Sequence, residues 1–416
     1  MEEKQQLSFL KNPKTTTISE VNHSIYGKGI CIRPNIPGKS RSKHEQNLYL
    51  EYLLPLEEYD EILLLFSGGK DSLYCLLRLL ELNIDCSKLT IIHHSVDGNI
   101  NGPRPEIEMD WPITHAYVTD IIKQFGLKIR FSWREGGFAS ELLRIGASTP
   151  VWFEDLNNAH KLHTVFAKSW QQCLKLKEEI VKAASINDYE RVDGLRTELK
   201  KYGYRFKWPA KSPNLKIRWC SSILKKDIGD KIIRYSQQTY RDKRILVIEG
   251  CRRQESRNRA SYNEMEKHST LAGSLNRIVH LWRMAIDVDE AEIWEKIKNY
   301  RIRPHLAYLC GFSRCSCFSC LYCNKQMFAA QKELLPDRFN ALVAMEKRLS
   351  FTIDNKKDLQ EYVGDAQSCI PKDIDPKIFE YVRNGYLPKG YSKVSEGEPW
   401  DLPAGAFSCS LDGGPC

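Results

Sequence analysis

No stretch of this sequence approaches the ~20 apolar residues that span a bilayer; near the front the longest apolar run is Ile62 to Phe66. The opening residues, MEEKQQLSFLKNPK, hold no apolar core of a secretory leader, so a cytoplasmic location without a membrane partner is expected. Internal repeats are absent, and so is the GxxxxGK[ST] pattern of a Walker loop. With 42% hydrophobic and 28% charged residues, the chain is neither a disordered polymer, a collagen nor a coiled-coil rod. Its 416 residues set a prior of two or three units.

Cysteine is abundant. Fourteen of them in a reducing compartment are not explained by disulfides, and Cys310, Cys315, Cys317, Cys320 and Cys323 crowd into fourteen residues. Such crowding suggests metal ligation. The net charge of +9 is uneven: residues 161–218 carry 14 Lys/Arg against 6 Asp/Glu, and residues 221–260 carry 11 against 5. Everything else is net acidic, so the positive field belongs to one stretch and points to an anionic partner there.

Residues 1–60 form a polar N-terminal extension with a Gly/Pro-containing stretch expected to be loop or extended chain. Within 61–154, Glu61–Phe66 reads as a strand buried on both faces, Ser67–Ser72 as a turn and Leu73–Leu82 as a helix. Lys88–His94 (strand), Trp111–Phe125 (helix) and Leu127–Trp133 (strand) follow. Residues 155–216 are Lys-rich and Gly-poor, which suggests an inserted helical segment. Alternation resumes over 217–300, with strands at Arg244–Glu249 and Ile278–Ile286 and a helix at Ala291–Asn299, capped by Asp287 or Asp289. Residues 301–384 hold the cysteine cluster and further helices, and the Gly-, Pro- and Ser-bearing tail 385–416 is expected to be mobile. The alternation predicts a doubly wound, mostly parallel α/β sheet.

The sharpest motif is Ser67-Gly-Gly-Lys-Asp-Ser72, between a buried strand and a helix. Gly68 and Gly69 let the backbone wrap an anion, and the helix start offers free N–H groups and the positive dipole end. Ser67 and Ser72 donate hydroxyls, Lys70 supplies a cation, and Asp71 caps the helix or helps hold Mg²⁺. The plainer alternative is a tight turn before a capped helix.

This loop resembles the PP-loop of the N-type ATP pyrophosphatases, the adenine nucleotide alpha hydrolase-like superfamily with a Rossmann-like fold. The resemblance runs through His94-Ser-Val-Asp97, Met109-Asp-Trp-Pro112, Ser132-Trp-Arg-Glu-Gly-Gly-Phe138, Ile217-Arg-Trp-Cys-Ser221, Gly250-Cys-Arg-Arg-Gln-Glu-Ser256 with Arg259, and Gly311-Phe-Ser-Arg-Cys-Ser-Cys317. These segments are similar to bacterial and phage proteins of the PAPS (phosphoadenosine phosphosulfate) reductase family and to DNA-phosphorothioation sulfurtransferases. They cover roughly 61–150 and 217–325. The resemblance implies an adenine nucleotide, ATP with Mg²⁺, bound by Ser67 to Ser72 together with His94, Asp97, Gly250, Arg253, Ser256 and Arg259. Lys70, Asp71 and Arg253 are then the catalytic candidates. Two departures stand out. Classical reductases lack an intact SGGKDS loop, and they carry a C-terminal Glu-Cys-Gly signature; here the tail offers only Cys409 and Cys416. Both favour ATP cleavage and sulfur transfer over sulfonucleotide reduction.

Four thiolates suit zinc or an iron–sulfur centre, and spacing does not separate them. The resemblance implies a [4Fe–4S] cluster on Cys220, Cys317, Cys320 and Cys323, with Cys315 as the replacement ligand and Zn²⁺ as the alternative metal. Arg252, Arg253, Arg257 and Arg259 follow a strand end and match phosphate geometry, or else cover a solvated helix face. Asp97 is either a ribose or Mg²⁺ ligand or a turn former. His93, His94 and His268 are proton-transfer candidates or structural groups. Within 161–216, Trp170, Tyr202, Tyr204, Phe206 and Trp208 interleave with basic residues, either as a solvated helix pair or as a surface stacking on unpaired bases.

The leading expectation is a PP-loop enzyme that adenylates a substrate, releases pyrophosphate and supports sulfur transfer, with a DNA or tRNA acceptor and a sulfur-donor protein such as a cysteine desulfurase. One alternative is a PAPS/APS reductase yielding sulfite. Another is a nucleic-acid-binding component of a modification or defence complex.

Overall fold

The computed structural model describes residues 54–212, 214–236, 240–256, 259–271, 277–315 and 317–407. The expectations for residues 1–53, Arg257, Cys409 and Cys416 lie outside them.

Eight strands form one sheet: β1 (Glu61–Leu65), β2 (Leu89–Ser95), β3 (Ile129–Arg134), β4 (Val151–Glu154), β5 (Leu162–Val165), β6 (Arg244–Glu249), β7 (Met265–Lys267) and β8 (Ile278–Trp282). Their spatial order is β5-β4-β3-β2-β1-β6-β8-β7. The central run β3-β2-β1-β6-β8 is parallel, while β4, β5 and β7 join antiparallel at the edges. The order reverses between β1 and β6, and crevices at such reversals are where open α/β sheets collect ligands. Among the described residues no helix is long and apolar enough to cross a membrane.

The main helices are α1 (Lys70–Glu81), α2 (Thr114–Gln124), α3 (Gly137–Leu142), α4 (Trp170–Ser185), α5 (Tyr189–Lys200), α6 (Asp227–Tyr235), α7 (Glu290–Asn299), α8 (Lys325–Leu334), α9 (Pro336–Leu349) and α10 (Pro376–Asn384). In α1, Leu73, Leu76, Leu77 and Leu80 recur at helical spacing and are buried. They join Ile62, Leu64 and Phe66 on one face of the sheet, with α2 and α7. On the opposite face, Leu63, Ile92, Val247 and Leu281 pack against Ile228, Ile232 and Ile233 of α6. With apolar residues on both faces, the sheet is covered by helices on each side.

Three expectations need correction. The insertion is not purely helical: β5, inside it, pairs antiparallel with β4 just before it, ahead of α4 and α5. Both are four residues long, too short for a periodicity signal, and β5 is the edge of the sheet. The strand expected over Ile278–Ile286 stops at Trp282 and turns, because Ile286 N–H bonds back to the Arg283 carbonyl. The tail up to Phe407 is packed. Arg303 N–H bonds Ser392 O, Val394 N–H bonds Arg301 O, Trp400 Nε1 bonds Ile302 O, and Gly405 N–H bonds Tyr308 O. Gly405 fits so closely that a Cβ there would stand 2.0 Å from the Phe312 carbonyl oxygen.

Candidate functional site

The turn Ser67–Ser72 lies at the carboxyl end of β1, beside the reversal point. Gly68 takes φ +81, a left-handed conformation natural only to glycine, and its ideal Cβ would strike Val118. Ser72 Oγ donates to the Gly69 carbonyl at 2.9 Å, and Gly69 N–H donates to Ser67 Oγ at 3.3 Å. Gly250, at the end of β6, packs against the start of α1: a Cβ would sit 2.7 Å from the Asp71 carbonyl carbon, so no larger residue allows this approach.

Lys70 is not the exposed loop lysine that the sequence suggests. It is 2% exposed, with Nζ 3.7 Å from Asp71 Oδ2, 3.6 Å from Glu290 Oε1 and 5.7 Å from the Tyr308 ring centre. Its backbone N–H donates to the Tyr308 hydroxyl at 3.1 Å. Arg252 Nε donates to Asp71 Oδ1, and Arg252 Nη2 donates to Glu290 Oε2 at 3.2 Å. Two cations and two carboxylates thus form a compact cluster beneath the loop. Glu290 begins α7, and its only sequence signal was the acidic start expected of a helix.

Above the loop opens a cavity of about 800 Å³. Ser67, Gly69, Lys70, Asp71, Ser72, His94, Gly250 and Arg259 line it, as do Cys220, Cys315, Cys317 and Cys320. Gly68, Asp97, Arg253, Ser256 and Cys323 do not. Arg253 is committed elsewhere: Nε donates to Asp287 Oδ1 at 2.8 Å and Nη1 to the Ala260 and Tyr262 carbonyls. Asp97 accepts from the Met109 and Asp110 N–H groups, and burial beside Asp110 pushes its carboxyl up to about 7. Its place is to hold that loop. Arg259 is in contact with Glu255.

His94 and His93 stand on β2. Burial, with help from His93 and Lys225, pushes the His94 imidazole down to about 3, so it is neutral at pH 7. His94 Nδ1 meets Ser132 Oγ at 2.6 Å, while Nε2 is buried without a hydrogen-bond partner. His93 Nδ1 bonds the Phe66 carbonyl at 2.9 Å, a structural role.

Cysteines form one wall. The Cys315 carbonyl oxygen lies 3.3 Å from the ideal Cβ position of Gly69, directly against the loop. Burial pushes the Cys220 thiol up to about 11, and Cys315, Cys317 and Cys323 are also raised by burial. Cys220 and Cys320 each raise Cys317 further, so the three thiols share one neighbourhood. Cys323 lies behind, its N–H bonded to the Cys320 carbonyl at 2.9 Å. Among the described residues no group of three His, Cys, Asp or Glu is arranged to hold a metal ion. The chemistry of the donor set is nonetheless that of a soft cation, which would relieve thiolates that burial disfavours.

Lys225 faces these thiols, unforeseen from the sequence. Enclosure pushes its ammonium down, but Cys317, Asp110, Cys320 and Cys220 more than reverse this and keep it charged. It belongs to a π-helical turn, Ser222–Lys226. Fully buried Arg134 explains that turn, because its Nε and Nη2 both take the Ile223 carbonyl, at 3.4 and 3.3 Å, and Nη2 also pairs with Asp227. Such turns often accompany functional sites. Nearby, Arg218 and Arg314 lie 5.8 and 5.3 Å from the Tyr322 ring centre at the cavity edge.

In the basic insertion, Trp208 is buried against Phe138 and is not a stacking surface. Tyr204 is exposed, stacked on Phe206 with 5.3 Å between ring centres, and Lys200 lies 5.3 Å from its ring centre. Arg205 is tied to Glu141 and lies over Trp219.

No family model matches the chain. Among curated proteins it is similar to the uncharacterized protein MJ0973 of Methanocaldococcus jannaschii, 25% identical over 236 residues. The match covers 56% of this chain and 50% of that protein, so the chain spans about half the length of the relative it matches.

Proposed function

We propose that the protein is a PP-loop enzyme of the PAPS reductase type that binds an adenine nucleotide, cleaves ATP between its α and β phosphates and supports sulfur transfer to an acceptor. One observation carries this: a glycine-bearing turn at the sheet's reversal point and four cysteines, Cys220, Cys315, Cys317 and Cys320, line a single cavity. An acceptor oxygen attacks the α-phosphorus, the bond to the bridging oxygen breaks, and pyrophosphate leaves with that electron pair. A sulfur nucleophile then displaces AMP. The chain's own part is positioning and charge. Backbone N–H groups at the start of α1 receive phosphate oxygens. Lys70 and Arg252 counter negative charge, and Asp71 is the Mg²⁺ candidate.

Cys220, Cys317, Cys320 and Cys323 would hold a [4Fe–4S] cluster, with Cys315 the replacement and Zn²⁺ the alternative metal. When bound, such a cluster would supply soft, redox-active iron. The basic face around Lys200 and Tyr204 suits a nucleic-acid acceptor, DNA or tRNA, and a cysteine desulfurase is the class of protein that would supply sulfur.

Pyrophosphate released from ATP, compared with sulfite released from PAPS, tests this reading. Sulfite without pyrophosphate replaces it with sulfonucleotide reduction.

A further inference from the structure

Gly229 is the third residue of α6, in a helical path continuous with the π turn before it. Glycine is the least favourable helix residue after proline. Nothing in the fold requires it here. A Cβ would meet only His94 Nε2 at 3.5 Å and Leu65 Cδ1 at 4.0 Å, both ordinary van der Waals distances. The atom it would touch first is the ring nitrogen left buried without a partner. Gly229 and His94 both line the cavity. An unpaired buried polar atom and an uncompensated helix glycine therefore meet at one point, each unfavourable alone.

The surroundings also set the proton on His94. Ser132 Oγ lies 3.3 Å from the His93 carbonyl, which only accepts, and 2.6 Å from His94 Nδ1. Its single hydroxyl proton makes both interactions favourable only when directed at the carbonyl. Nδ1 then donates to Ser132, and Nε2 carries a lone pair. We infer that His94 Nε2 accepts a hydrogen bond from the exocyclic amino group of a bound adenine, and that Gly229 is kept without a side chain so that the base edge reaches it. This rests on the nucleotide-binding reading above. Guanine presents a carbonyl at the equivalent ring position, setting lone pair against lone pair, a mismatch that polar sites reject strongly.

Equilibrium binding of ATP and of GTP to wild type, Gly229→Ala and His94→Ala, with melting temperatures measured alongside, tests the inference. Wild type should hold ATP at least 10-fold more tightly than GTP. Gly229→Ala should melt at or above wild type yet bind ATP at least 10-fold more weakly, and this arm stands even where His94→Ala fails to fold. Folded His94→Ala should lose the preference for ATP. Unchanged ATP affinity in Gly229→Ala, or a preference that survives in His94→Ala, overturns the inference and spares the nucleotide reading. Wild type that binds neither nucleotide overturns both.

Discussion

Arg252 Nε donates to Asp71 Oδ1 at 2.7 Å, joining the segment after β6 to the first turn of α1. The bond spans the reversal of strand order, and its partners Lys70 and Glu290 bring the local charge to zero. On the nucleotide reading proposed above, a phosphate would compete with two resident carboxylates for these cations.

Lys70→Ala is expected to lower pyrophosphate release roughly 10²-fold, the order of loss when one charge-stabilising donor is removed. Because Lys70 is buried between Asp71 and Glu290, the substitution should also cost about 3 kcal/mol of stability. Urea unfolding separates the two effects. Wild-type ATP cleavage in the folded variant would remove Lys70 from the machinery.

Cys320→Ser addresses the thiol wall. Anaerobically purified wild type should be brown and contain iron and acid-labile sulfide, and the variant should lose that absorbance and part of its local stability. A colourless wild type with one zinc per chain rejects the iron–sulfur assignment.

The basic face is tested by reversing Lys200, Lys201 and Lys207 to Glu while leaving Arg205, whose guanidinium sits beside Glu141. All three lysines are exposed, so folding should be unaffected. Binding to single-stranded nucleic acid should weaken, and the log–log salt slope should flatten by about 0.7 for each phosphate no longer neutralised. ATP binding should be retained. Absence of salt-dependent binding by wild type would argue against a polyanionic acceptor.

Acid sensitivity follows from histidines buried in the neutral form. Burial pushes His93, His115, His268 and His280 down to about 4, and His94 and His305 to about 3. A depressed histidine contributes stability above its unfolded value near 6.5, and that contribution is lost as pH falls towards the folded value, since the unfolded chain binds more protons. For His93 alone the loss between pH 6.5 and 5 is about 1.5 kcal/mol. The raised Asp97 acts oppositely, losing stability as pH rises from about 4 through 7. Burial also raises Asp110, Glu154 and Glu346, which act in the same sense as Asp97, but six deeply depressed histidines outweigh four carboxyls. Urea midpoints should therefore fall steadily from pH 7 to 5; midpoints that stay level over this range would show that these rings are not buried neutral.

Local signals were legible in the sequence, and distant pairings were not. The strand–turn–helix unit around Ser67–Ser72 is specified within twenty residues by an apolar run, two glycines and a leucine stripe. The partners of that turn lie more than 180 positions away, at Arg252, Glu290 and Tyr308, and no local pattern announces them. Lys70 reads as a solvent-facing loop cation until the fold brings Glu290 beside it. Asp97 and Arg253 have the right chemistry for a ligand site, yet backbone groups of neighbouring loops and the Asp287 carboxylate already engage them. The tail has the composition of a mobile segment, but Gly405 is there for close packing, which composition alone does not distinguish from flexibility.

That tail also bears on the order of events during synthesis. Gly405 fixes the Tyr308 carbonyl, Tyr308 accepts from the backbone of Lys70, and Lys70 opens the helix that follows the glycine turn. More than 330 residues separate the first and last links, so loop-closure entropy delays this pairing relative to β1–α1 formation. A nascent chain that has released its first hundred and fifty residues already owns the turn, but not the hydroxyl that steadies it. The candidate site is thus completed only once the chain through Gly405 has left the ribosome, and products that stop before Tyr308 carry the motif without the contact that holds it in shape.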